Sequence, residues 1–100
     1  MKTAFVTGGS RGIGSAIALA LGKTFHVVVG FATSEDKAND VVKEIVAAGG
    51  SASTVQIDIS DAESVDSAFT TIEKEYNSVD VLINNAGVTK DNILSGQIVE

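Results

Sequence analysis

The sequence has no cysteine, no proline and no tryptophan, and it carries one histidine, His26, and one tyrosine, Tyr76. Without cysteine there is neither a disulfide framework nor a thiolate site, and one histidine excludes a histidine-rich metal cluster, so no metal site is expected. Without proline, and with no low-complexity stretch, nothing marks an internal boundary or linker, and residues 1–100 read as one unit. No apolar run approaches the length of a membrane span, and the chain enters a strand pattern at once rather than a basic and apolar leader. No membrane partner is therefore expected, and a cytoplasmic setting is. Cations are also scarce: seven Lys and Arg stand against thirteen Asp and Glu, the formal charge is -6, and the lysines are scattered. Such a chain is a poor partner for nucleic acid. An anionic small molecule is not excluded, because local donors at a helix terminus outweigh a diffuse surface charge screened by salt.

What is present is an ordinary apolar content, 44%, and ten glycines, four of them in the stretch Thr7-Gly-Gly-Ser-Arg-Gly-Ile-Gly14, where three carry the pattern Gly8-x-x-x-Gly12-x-Gly14. The stretch lies between the apolar run Ala4-Phe5-Val6 and a helical pattern. A backbone turning from strand into helix needs positions with positive φ or without Cβ, and the helix start then offers unpaired N–H groups to an anion. The expected ligand is a dinucleotide pyrophosphate. The spacing differs from G-x-G-x-x-G and lacks the Gly-Lys-Ser/Thr ending of a P-loop, so hydrolysis of ATP or GTP is not expected.

Thr3 to Thr7 reads as a first strand, and Ile13, Ile17, Ala20 and Leu21 place a first helix over Gly12 to Lys23. Val27-Val28-Val29 is a continuous β-branched run, expected to be covered on both faces as in a parallel sheet. His26, at its edge, is expected to be solvated or structural and is assigned no function. Ala38, Val41, Val42 and Ile45 give a second helix over Ser34 to Ala48, stopped by Gly49-Gly50. Ser53 to Ile57 alternates like a strand near a sheet edge, and Ser60-Asp-Ala-Glu63 has the form of a capping box opening a third helix. Val65, Phe69, Ile72 and Tyr76 form the buried face of that helix, and Val79 to Ile83 is a fourth strand. The order βαβαβαβ requires parallel strands, and it predicts the first half of a doubly wound α/β Rossmann sheet with strand order 3-2-1-4. Strand four would then present an uncovered apolar edge.

Three further signals fall where the carboxyl ends of such strands converge, which is where open α/β sheets bind ligands. Strand two ends in Gly30-Phe31-Ala32-Thr33-Ser34, without the acid that would hold a ribose 2′-hydroxyl. Arg11 can make a charge-assisted contact to a 2′-phosphate there and Thr33 a hydroxyl contact, so NADP(H) is the expected cofactor. Asp58 can accept from an adenine amino group while Ile59 packs on the ring, although a turn aspartate is the competing account. Asn84-Asn-Ala-Gly87 closes strand four with side-chain amides and a tight backbone, suited to bracing the sheet and lining the nicotinamide ribose.

Together the glycine stretch, Asp58-Ile59 and Asn84-Asn-Ala-Gly87 resemble the cofactor motifs of the short-chain dehydrogenase/reductase family, over essentially the whole chain. Ala32-Thr-Ser-Glu-Asp36 and Val88-Thr-Lys-Asp-Asn-Ile-Leu94 resemble the β-ketoacyl-acyl-carrier-protein reductases and acetoacetyl-CoA reductases. Gly22-Lys-Thr-Phe-His26 and Ser95-Gly-Gln97 depart from that pattern. The resemblance implies that Gly8, Ser10, Arg11, Gly12, Ile13 and Gly14 hold the phosphates and Thr33 the 2′-phosphate. It further implies Asp58 and Ile59 at the adenine, and Asn85, Ala86 and Gly87 at the ribose nearest the nicotinamide. It implies reduction of a 3-keto thioester, on acyl-carrier protein or CoA, by a homo-oligomeric parent, a tetramer. The family's Tyr-x-x-x-Lys pair, serine and further asparagine lie beyond the stretch covered, and Tyr76 is followed four positions later by Asp80, so no catalytic residue is expected in residues 1–100. The chain is thus expected to be the cofactor-binding N-terminal part of a reductase. The alternative is a stand-alone dinucleotide-binding or oligomerisation module.

Overall fold

β1, Thr3–Thr7, is the axis of the molecule, and all five of its residues are buried. The computed structural model describes residues 1–10, 12–85 and 98–99. Along them β1 is followed by α1 (Gly12–Leu21), β2 (His26–Phe31), α2 (Glu35–Ala47), β3 (Ser51–Gln56), α3 (Ala62–Tyr76), β4 (Val81–Asn84) and β5 (Ile98–Val99). β2 and β4 flank β1, both parallel to it, and the sheet order is β3-β2-β1-β4-β5. The Rossmann order 3-2-1-4 is therefore present, as the alternation of elements predicts.

Alternation along β1 divides the core in two, because successive side chains of a strand point to opposite faces. Val6, with Val27 and Val29, packs against Ala18 of α1 and Ala38, Val41 and Ile45 of α2. Phe5, with Val28, packs on the other face against Ile57 and against Ala68 and Ile72 of α3. The run Val27-Val28-Val29 is covered on both faces, with no residue above 1% exposed. Complete burial of a side chain such as Ile45 or Ile72 stabilises the fold by roughly 1.5–3 kcal/mol.

Several element boundaries differ from the sequence reading. α1 stops at Leu21 rather than Lys23, because the chain turns at Gly22, where a Cβ would come within 2.7 Å of Ile45 Cγ2. β2 extends beyond the valines to six residues because each pairs with β3, and β3 itself begins at Ser51. Ile57 has left the strand but still donates its N–H to the Phe31 carbonyl at 2.8 Å. α2 does end at the glycines: Gly49 has φ 92, and the N–H groups of Gly49 and Gly50 return to the carbonyls of Val46 and Ile45. These are the two bonds of a Schellman turn.

The capping box is not formed. Asp61 caps α3, accepting from Glu63 N at 3.0 Å, and Ser60 bonds elsewhere. Nor is the outer edge of β4 bare, since β5 pairs antiparallel with it, Leu82 opposite Val99 and Ile83 opposite Ile98. Among the described residues no helix is long and apolar enough to cross a membrane.

Candidate functional site

The turn between β1 and α1 needs glycine for two separate reasons. Gly8 and Gly12 have φ of 64 and 61, a backbone conformation that a Cβ penalises. Gly14 lies in the first turn of α1, where a Cβ would run into the Gly8 carbonyl oxygen and come within 2.8 Å of Asn85 Nδ2. Helix and turn therefore approach as closely as backbone permits. The turn is pinned to the next strand by Gly9 N–H, which donates to the Gly30 carbonyl at 3.1 Å. No acidic side chain occupies the first turn of α1, so its positive end is not neutralised from within.

β4 joins the turn through two asparagines and a buried threonine. The Thr7 hydroxyl accepts from Asn85 N at 2.9 Å and donates to Asn84 Oδ1 at 3.0 Å, while Asn85 Nδ2 donates to the Gly8 carbonyl at 3.4 Å. The asparagines do brace the sheet, and Thr7 is the hub through which they do so.

A cleft of about 450 Å³ opens over these carboxyl ends, and it brings together Gly8, Ser10, Thr33, Asp58, Ile59 and Asn85. Gly12, Ile13 and Gly14 are not among its lining residues: Gly12 and Ile13 are exposed, Ile13 at 73%, and Gly14 is buried. Arg11, Ala86 and Gly87, like the subfamily stretches 88–94 and 95–97, lie outside the described residues. Sequence reasoning did not single out Phe31, Ala32, Ser34 and Ile57, which also line the cleft. Phe31 and Ile57 are 7% and 3% exposed and make its apolar floor. Their position at the ends of β2 and β3 was the available signal, since ligands of open α/β sheets lie at strand carboxyl ends.

The end of β2, Phe31 to Ser34, brings no carboxylate to the cleft; the first acid beyond it, Glu35, opens α2. Among the described residues, the one carboxylate in the lining is that of Asp58. The Ser60 hydroxyl and then the Ser60 amide, bonding to its Oδ1 at 2.6 and 3.0 Å, hold this exposed carboxyl below the usual carboxylate range. It is an acceptor at neutral pH. Ile59 is half-buried against the α3-side core.

His26 proves not to be isolated. At the opposite, amino end of the sheet its Nδ1 lies 2.6 Å from Ser51 Oγ and its Nε2 3.1 Å from Ser53 Oγ. Tyr76 donates its hydroxyl to the same Ser53 oxygen at 3.1 Å, with the two rings 4.3 Å apart. The expected place of Tyr76 on the inner side of α3 is confirmed, and the ring is far from the cleft by topology.

The family model for the short chain dehydrogenase matches residues 2–97. The chain belongs to that family. Within it, the chain is 48% identical over 94 residues to a 3-oxoacyl-[acyl-carrier-protein] reductase of Synechocystis, an alignment that covers 93% of this chain and 38% of the relative. A dehydrogenase/reductase from Sinorhizobium meliloti superposes with a TM-score of 0.82 at 42% identity, over 87% of this chain and 35% of that one. A metagenomic short-chain oxidoreductase solved in complex with NADP gives 0.82 at 43% identity, over 87% and 39%. This short-chain dehydrogenase chain thus spans well under half the length of the relatives it matches.

Proposed function

We propose that the chain binds NADP(H) across the carboxyl end of its sheet and forms the cofactor-holding part of a reductase acting on 3-oxoacyl thioesters. The observation that carries this reading is the cleft itself: a glycine turn closed to the limit of backbone contact, an unneutralised helix start, and a β2 end that brings no acid. A dinucleotide fits such a cradle, since its pyrophosphate needs N–H donors at close approach and its 2′-phosphate needs the absence of a carboxylate. Likeness to the Synechocystis reductase and to the NADP-bound oxidoreductase supports the choice of cofactor and substrate class.

In this reading the backbone of Gly8, Gly12, Ile13 and Gly14 and the Ser10 hydroxyl hold the pyrophosphate. Arg11 and Thr33 hold the 2′-phosphate, Asp58 and Ile59 the adenine, and Asn85 with Ala86 and Gly87 the ribose beside the nicotinamide. When bound, NADPH supplies hydride for a ketone carbon. The chain's own residues bind and orient it. Residues 1–100 contain no Tyr-x-x-x-Lys pair to supply the proton to the ketone oxygen, so turnover belongs to a longer parent, with acyl-carrier protein or CoA carrying the substrate.

Arg11→Ala tests the assignment. A charge-assisted contact contributes about 1.5–3 kcal/mol, so NADPH affinity should fall roughly tenfold or more while NADH affinity changes little. Equal losses for the two cofactors in fluorescence titrations would refute the 2′-phosphate role.

One observation favours the second reading, a non-catalytic dinucleotide-binding or oligomerisation module: β5 covers β4 at Leu82 and Ile83. Such a module should sediment as one defined species that binds NADPH. A polydisperse aggregate without NADPH binding would count against it.

A further inference from the structure

Ser60 has the sequence context of a helix cap but does not act as one, because Asp61 takes that place. Its amide and hydroxyl instead turn back onto Asp58 Oδ1, at 3.0 and 2.6 Å. The main chain of Asp58 is held as well: its N–H donates to Ser64 Oγ of α3 at 2.8 Å, and its carbonyl accepts from Asp61 N at 3.0 Å. An exposed aspartate at the rim of a cleft would ordinarily sample several rotamers, and ordering it on binding would weaken the complex. Here the two Ser60 bonds hold the carboxylate in one orientation before any ligand arrives. With both Ser60 bonds on Oδ1, the second carboxylate oxygen is left to a ligand donor.

We propose that Ser60 is a positioning residue that fixes Asp58 as a one-sided acceptor and so makes the cleft select a 6-amino over a 6-oxo purine dinucleotide. The inference rests on the reading of Asp58 as the adenine contact given above. A fixed, ionised carboxylate accepts from an exocyclic amino group but faces a 6-oxo group as acceptor against acceptor, which discriminates by repulsion as well as by a lost bond. A mobile aspartate could turn away from the oxo group and lose that discrimination.

The test compares binding of NADPH and of its hypoxanthine analogue, which carries oxygen in place of the 6-amino group, to the full chain by fluorescence titration. Wild type should prefer NADPH by about tenfold, the ratio expected for one charge-assisted hydrogen bond. Ser60→Ala should bring the ratio to about threefold or less, Ser60→Thr should restore it, and the ratio of NADPH to NADH affinity should stay constant throughout. A second readout needs no cofactor: the Asp58 carboxyl carbon, followed by NMR, should titrate below the usual carboxylate range in wild type and move up in Ser60→Ala. A wild-type preference for NADPH that survives unchanged in Ser60→Ala overturns the positioning role and leaves the adenine contact standing. Equal wild-type affinity for the two purines overturns the adenine contact and the inference with it. An Asp58 titration indifferent to Ser60→Ala overturns the inference alone.

Discussion

The two ends of the sheet use polar residues in opposite ways. At the amino end they satisfy one another: His26 lies between Ser51 and Ser53, Tyr76 bonds the same Ser53, and Asp80 Oδ2 accepts from Thr3 N at 2.8 Å while Asp80 N returns to the Thr3 carbonyl. At the carboxyl end Thr7, Asn84 and Asn85 bond one another and Ser60 bonds Asp58, but the Ser10 and Thr33 side chains line a cleft, and the closest contact is made by backbone, at Gly14. A closed network stabilises, whereas a set of unpaired donors around a cavity is arranged for something else to complete. The functional end is thus distinguished by polar groups that line a cleft beside the bonded ones, Ser10 and Thr33 among them.

The largest break in this contrast should come from Gly14→Ala. The added Cβ meets the Gly8 carbonyl, which is backbone and cannot swing aside, and it crowds the Asn85 amide. Overpacking of this kind costs about 3 kcal/mol, and the helix start should shift out of line with the turn. A lower urea midpoint and loss of NADPH binding are expected, with the His26 resonances at the other end of the sheet little changed if the damage is confined to the cleft. Gly12→Ala sharpens the point. Apart from its chain neighbours and its own helix backbone, nothing lies within 4 Å of a Cβ built there, but φ is 61. Its cost should be smaller, about 1–2 kcal/mol of backbone strain in the left-handed region, with no steric effect on Asn85. Equal urea midpoints for the two variants would mean that close approach at Gly14 is not what the glycine provides.

Much of this architecture was legible in the sequence because it follows from local periodicity. The alternation of elements gave the strand order, Val27-Val28-Val29 declared a strand covered on both faces, and Gly49-Gly50 announced the end of α2. What was not legible depends on competition or on contacts far apart in the chain. Ser60 and Asp61 are both competent caps, and the pattern Ser-x-x-Glu carries no sign that Asp58, two residues earlier, claims the serine. The partners of His26 lie 25 and 27 residues away, brought near only by the register of β2 with β3. The hub role of Thr7 spans 77 residues to Asn84, and the return of β5 against β4 is antiparallel where every other pairing is parallel. At the candidate site, residues of the expected motifs line the cleft, but its floor, Phe31 and Ile57, emerged only once the strand ends were placed side by side.

The smallest effect concerns the amino end alone. Burial of the imidazole lowers the pKa of His26 below 6.5, and the nearby Glu75 opposes this only in part. Between the folded and unfolded pKa values the unfolded chain therefore binds more protons, so stability rises with pH in that window. The contribution is fully present above about 6.5 and is lost as the pH falls from there toward the folded value. Because the ring is only half-buried and screened by solvent, the loss should be less than about 1 kcal/mol. His26 is the sole histidine, and no other side chain ordinarily titrates between about pH 5.5 and 7.5, so the effect can be assigned to it. The urea midpoint of wild type should fall between these two pH values, that of His26→Gln should stay level, and NADPH affinity should be the same for both proteins at pH 7.5. A wild-type midpoint that rises on acidification would mean that Glu75 outweighs burial, and that the amino-end network is held together by an imidazolium rather than by a neutral ring.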